Sequence, residues 1–194
     1  MPTVRSAARS LITLALLASA SVHAATVSVV INAAQEVPAN VSTGTGTGMF
    51  TLNADNTFSF SISFSGLTSG ITGAHIHGNA TPGQGVPGTN TGIMVDIVGG
   101  VVPAGITAAG GTTSGTFTGT NVSIASLTRP GAASGFVTAL ALGQTYFNLH
   151  NIQFPGGEIR GNIPAVTTVI PLPAPALLML GGLALLGVAA RRKV

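Results

Sequence analysis

An antiparallel β-sandwich or barrel carrying one short helix is the all-β architecture that the middle of this chain predicts. Residues 58–65 alternate Phe, Ile and Ser without exception, the period-two signature of a strand with one buried face. Short apolar runs of the same kind recur along the chain. Gly/Pro-rich turns part them, the densest at 81–90 with Pro82, Gly83, Gly85, Pro87 and Gly88. The composition agrees, with 27 Gly, no Trp, no Cys and one Tyr in 194 residues, which suits strands joined by turns and disfavours a helical bundle.

The chain divides into residues 1–24, 25–165 and 166–194. In the first segment Arg5 and Arg9 precede an apolar run over 11–20, which ends in Ser21-Val22-His23-Ala24. Charge, short apolar run and small residues in that order describe a secretory signal peptide, with cleavage expected after Ala24. An exported domain without Cys forgoes both disulfides and thiolate metal ligands.

The strands follow in order. Residues 26–32 form the first; 49–52 and 58–65 make a hairpin through the Asp55-Asn56 turn. Further strands are expected at 73–77, 92–98, 113–118, 145–151 and 158–163. One segment departs from the period of two. Phe136, Val137, Leu140 and Ala141 repeat at helical spacing and Gly143 stands where a C-terminal cap sits, so 132–142 reads as a short helix.

The last segment begins with Ile170-Pro171-Leu172-Pro173-Ala174, runs apolar over 176–190 and closes on Arg191, Arg192 and Lys193. Fifteen helical residues span about 22 Å, short of a hydrocarbon core of about 30 Å unless flanking residues join in. The basic cluster is expected to stay on the cytoplasmic side. Proline motif, short membrane segment and basic end together resemble the PEP-CTERM sorting signal, in its Val-Pro-Leu-Pro-Ala form with Ile170 in place of Val. The resemblance implies recognition of Pro171 and Pro173 and cutting by an exosortase-type enzyme. It also implies transient membrane anchoring, a final place at the cell surface or outside it, and association with exopolysaccharide, biofilm or surface proteins.

Charge separates along the same boundaries. The formal +3 of the whole chain comes from Arg5, Arg9, Arg191, Arg192 and Lys193. The middle keeps Arg129 and Arg160 against Glu36, Asp55, Asp96 and Glu158, a net of −2. A nucleic-acid partner is thereby excluded as an explanation of the basic pI.

Chemistry gathers at three histidines. His75 and His77 lie at i and i+2 on one strand and share a face, opposite Ala74 and Ile76; Tyr146, Asn148 and His150 share a face of another. Together the three imidazoles form a candidate zinc or copper site, with Asp96 either a fourth ligand or a turn-facing charge. The alternative has the rings bonded to backbone carbonyls, pinning the Gly/Pro loop. Ring nitrogens within about 3–4 Å of one another favour the ion, whereas rings pointing apart, or each bonded to backbone, rule it out. Next, Pro155-Gly156-Gly157 makes a tight turn, after which Glu158 and Arg160 share a face and bond either to each other or across the sheet.

Gly73-Ala74-His75-Ile76-His77-Gly78, Gly92–Ile97, Tyr146-Phe147-Asn148-Leu149-His150 and Pro155-Gly156-Gly157-Glu158-Ile159-Arg160-Gly161 together resemble the CHRD domain over residues 25–163. That domain is named for chordin, an extracellular regulator, and occurs in many bacterial exported proteins. Asn151 stands where the family's usual Thr follows the histidine.

His75-Ile76-His77 also looks like the metal-binding strand of Cu/Zn superoxide dismutase, but the three histidines left after signal cleavage are too few for a two-metal centre. No nucleophile–base pair and no second acid at a defined spacing is visible. The expectation is therefore an exported, non-catalytic surface or matrix module with no certain cofactor. The alternative is a single-site copper or zinc protein built on His75, His77 and His150.

Overall fold

The computed structural model describes residues 24–167. The expected signal peptide, the membrane segment 176–190 and the sorting residues Pro171, Pro173, Arg191, Arg192 and Lys193 lie outside them, apart from Ala24, which opens the described stretch. No helix among the described residues is long and apolar enough to cross a membrane.

Nine strands and one helix follow in chain order: β1 Ala25–Asn32, β2 Thr45–Leu52, β3 Thr57–Ser65, β4 Ile71–Gly78, β5 Ile93–Val98, β6 Ile106–Thr107, β7 Gly115–Ser123, α1 Ala132–Ala141, β8 Thr145–Asn151 and β9 Ile159–Ile163. All pairings are antiparallel, in one sheet of order β5-β4-β8-β9-β1-β2-β3-β7-β6. The sheet rolls into a nearly closed barrel. Phe147 on β8 stands 5.5 Å from Phe60 on β3 and 6.4 Å from Phe50 on β2, ring centre to ring centre, so strands far apart in the sheet order meet across its interior.

The alternation in β3 sets the inside of this barrel. Phe58, Phe60, Ile62 and Phe64 are buried, while Ser61, Ser63 and Ser65 face water. Each buried aromatic or branched side chain contributes roughly 1.5–3 kcal/mol relative to exposure. Helix α1 adds Phe136, which packs 4.9 Å from Phe58, and ends at Gly143 with φ of 65°, the left-handed cap expected there.

Several boundaries differ from expectation. β2 begins at Thr45 because Gly46 and Gly48 are strand residues: a Cβ on Gly48 would lie 2.5 Å from Ile62 Cγ2, so close packing excludes a side chain where propensity alone disfavours a strand. β7 runs on to Ser123 through a register shift opposite Phe58 and Phe60 that takes up Asn121 at φ of 48°. The two-residue β6 has no counterpart among the expected strands, and Glu158 lies just before β9 instead of within it.

Candidate functional site

Because the barrel interior is apolar, the alternate residues of β4, β5, β8 and β9 present a polar outer layer. Strand register draws one row across it: Asp96 opposite His75, His75 opposite Asn148, Asn148 opposite Arg160, and Arg160 opposite Asn32. His77 stands opposite Tyr146, and His150 opposite Gly73.

The three histidines meet in this layer. Ring centres are 5.0 Å apart for His75 and His150, 5.6 Å for His75 and His77, and 5.7 Å for His77 and His150. One ring nitrogen from each lies within 4.8 Å of the others. That limit is wider than the 3–4 Å expected from sequence. An ion bonded at about 2.0–2.1 Å holds its ligands about 3.3–3.5 Å apart, inside that limit.

Hydrogen bonding fixes which nitrogens are free. His77 Nδ1 is 2.9 Å from the Thr91 carbonyl oxygen and His150 Nδ1 is 3.1 Å from that of Pro155. A carbonyl only accepts, so each Nδ1 carries the hydrogen and each Nε2 keeps its lone pair. His75 makes no such bond: its Nε2 lies 3.7 Å from Asp96 Oδ1, beyond hydrogen-bond reach, and its Nδ1 is buried. His75 Nδ1, His77 Nε2 and His150 Nε2 are buried and have no hydrogen-bond partner. Backbone carbonyls thus hold two of the rings by one edge and leave the other edge unpaired.

The protonation state suits ligation. Burial pulls the pKa of His75 down to about 4, with the other two imidazoles adding to the effect. Burial likewise lowers His77 to about 4 against the opposing bond to Thr91, and lowers His150. Neutral imidazole is the form that binds metal.

Asp96 stands beside the triad, not in it. Its Oδ2 accepts from Arg129 Nε at 2.9 Å and Val101 N at 3.2 Å, and its Oδ1 from Arg129 Nη2 at 2.5 Å. The bidentate bond raises the pKa of Arg129.

Glu158 and Arg160 are both fully buried and do not pair with each other. Glu158 accepts from Ser42 Oγ at 2.5 Å, from Thr68 N at 2.8 Å and from Asn151 Nδ2. Arg160 donates to the carbonyls of Thr89 at 2.8 Å and Val86 at 3.3 Å, to Asn90 Oδ1 and to Asn162 Oδ1. Its guanidinium also sits 3.5 Å over the Tyr146 ring, and Tyr146 stacks on His77 at 5.0 Å and 6°. Gly156 and Gly157 form the turn before them, and Gly157, with φ of 129°, leaves no room for a Cβ beside Glu36 Oε1.

Glu36 enters the sequence reading only as a charge, since it lies in an irregular segment with no period to mark it as buried. It accepts from Asn148 Nδ2 at 3.5 Å, and burial pushes its pKa up to about 7 against the pull of Arg160. Arg129 enters that reading only as a charge to be counted.

No curated protein and no solved structure matches the chain. The family model for the CHRD domain matches residues 27–163, which takes in the polar layer, the histidine triad and the Gly-Gly-Glu-Ile-Arg-Gly turn. The chain belongs to the CHRD domain family.

Proposed function

We propose that this chain is an exported CHRD module that holds one copper or zinc ion through His75 Nδ1, His77 Nε2 and His150 Nε2. The observation that carries the reading is the set of three buried, unpartnered nitrogens, one per imidazole. A buried polar atom without a partner costs roughly 1–3 kcal/mol, and a single ion would satisfy all three. No catalytic role is assigned to the site.

The signal-like start and the PEP-CTERM-like end support delivery across the inner membrane, transient anchoring, cutting by an exosortase-type enzyme, and a final place among exopolysaccharide or surface proteins. Changing Arg191, Arg192 and Lys193 together to neutral residues tests that route; unchanged membrane retention and processing would refute it.

The metal reading is tested on the purified chain made without a histidine tag, by elemental analysis and by calorimetric titration with Cu²⁺ and Zn²⁺. One ion per chain at sub-micromolar Kd, lost in His77→Asn, is the expected result. No binding tighter than micromolar would refute it and leave the matrix-module role alone.

A further inference from the structure

The charges and the enclosure of the triad discriminate between the ions that three imidazoles accept. Asp96 is the acid nearest the triad, 3.7 Å from His75, and both its oxygens are already held by Arg129. A second cation, the buried Arg160, lies over Tyr146, which stacks directly on His77. Glu36 bonds Asn148 on the side toward Arg160, and Glu158 is held by Ser42, Thr68 and Asn151. Asp96 and Glu158 against Arg129 and Arg160 sum to zero, and among the described residues no carboxylate joins the three imidazoles as a counter-charge.

Charge number then decides. The cost of desolvating an ion grows with the square of its charge, so a buried divalent ion without a counter-charge costs about four times as much as a monovalent one. Zinc also takes a fourth ligand to complete a tetrahedron. Here the three free nitrogens are buried, and among the described residues no fourth protein ligand joins them. A three-coordinate ion of single charge that accepts imidazole meets both conditions.

We propose that the triad is a cuprous site, taking Cu⁺ in three-coordinate form in preference to Zn²⁺. This rests on the metal-binding reading above and adds the identity and charge of the ion. Arg129, by neutralising Asp96, is the residue that sets the preference.

The test is an anaerobic competition on the full chain without a histidine tag, with a chromophoric chelator for Cu⁺ and another for Zn²⁺. Wild type, Arg129→Gln and Arg129→Lys are compared, and folding is checked by circular dichroism. The expected result is one Cu⁺ per chain, bound at least about 100-fold more tightly than Zn²⁺. Arg129→Gln frees the Asp96 charge and raises Zn²⁺ affinity about tenfold or more while moving Cu⁺ by no more than about threefold. Arg129→Lys keeps the wild-type preference. Zn²⁺ bound as tightly as Cu⁺ in the wild type, or Arg129→Gln strengthening both ions equally, would overturn the cuprous assignment and leave a metal site standing. Binding of neither ion would overturn the site itself.

Discussion

Glu158 is a buried carboxylate held by neutral donors alone, and replacing it with glutamine isolates what that arrangement contributes. In Glu158→Gln the shape is kept and one acceptor oxygen becomes an amide nitrogen. Oε1 can still accept from Ser42 Oγ and Thr68 N. The new NH₂ then faces Asn151 Nδ2, also a donor. Asn151 cannot turn its amide over to relieve this, because its Oδ1 accepts from Gln153 N at 3.1 Å and Phe154 N at 2.9 Å. The opposite orientation of the introduced amide would set NH₂ against Thr68 N and is no better. The loss is one hydrogen bond to a charged group, about 1.5–3 kcal/mol, plus a buried donor left unpaired, about 1–3 kcal/mol. A total near 4 kcal/mol lowers Tm by about 10 °C for a domain of this size. Thermal unfolding by circular dichroism at neutral pH, metal-free, measures it. A Tm within about 3 °C of wild type would refute the claim that a locked Asn151 and a buried carboxylate hold this turn together.

Arg160→Lys keeps the charge but loses the fork that reaches Val86, Thr89 and Asn162, so backbone amides over residues 84–91 should exchange about tenfold faster by hydrogen-exchange mass spectrometry. Unchanged protection would mean that the loop is held by its own turns. Glu36 has a pKa of about 7 when folded against an ordinary 4.5, so its contribution to stability is full below about 4.5 and is lost as pH rises through 7. Glu36→Gln removes that loss; the Tm of the variant relative to wild type should therefore be more favourable at pH 8 than at pH 5, and an equal difference at both values would show that Glu36 does not titrate in this range.

Legibility in the sequence follows local periodicity. The unbroken alternation at 58–65 marks β3, where the buried face repeats every second position; the bounds of 145–151 also agree to the residue, although β8 is buried on both faces. The His75–His77 pair and its partner on β8 are legible for the same reason: strand spacing alone puts them on common faces. The start of β2 is hidden, since Gly46 and Gly48 make room for the Ser63 carbonyl and Ile62 and glycine carries no periodic signal. The surroundings of the triad are hidden more deeply. That Asp96 belongs to Arg129, that Glu36 lies beyond Asn148, and that the carbonyls of Thr91 and Pro155 hold two rings all depend on loops returning across the sheet over 5 to 112 residues of chain. No local pattern encodes such closures.

Those closures explain why the Gly-Gly-Glu-Ile-Arg-Gly turn and the histidines belong to one device. Arg160 grips the carbonyls of Val86 and Thr89, which fixes the end of the loop whose Thr91 carbonyl sets the hydrogen on His77 Nδ1. Glu158 binds Asn151, and Asn151 holds the backbone of Gln153 and Phe154, which places the Pro155 carbonyl against His150 Nδ1. Arg129 fixes Asp96, which faces His75. Each imidazole is thus oriented by its own buried or half-buried charge, acting through a loop or directly, and each is left with one lone pair and no partner. A domain that needed histidines only to pin its loops would gain nothing from burying three unpaired nitrogens on one side of the rings. Their shared orientation is what the proposed ion would use, and loop pinning and the proposed metal binding separate experimentally. Arg160→Lys should loosen the loop and weaken metal binding together, whereas Arg129→Gln should alter the choice of ion without loosening either loop.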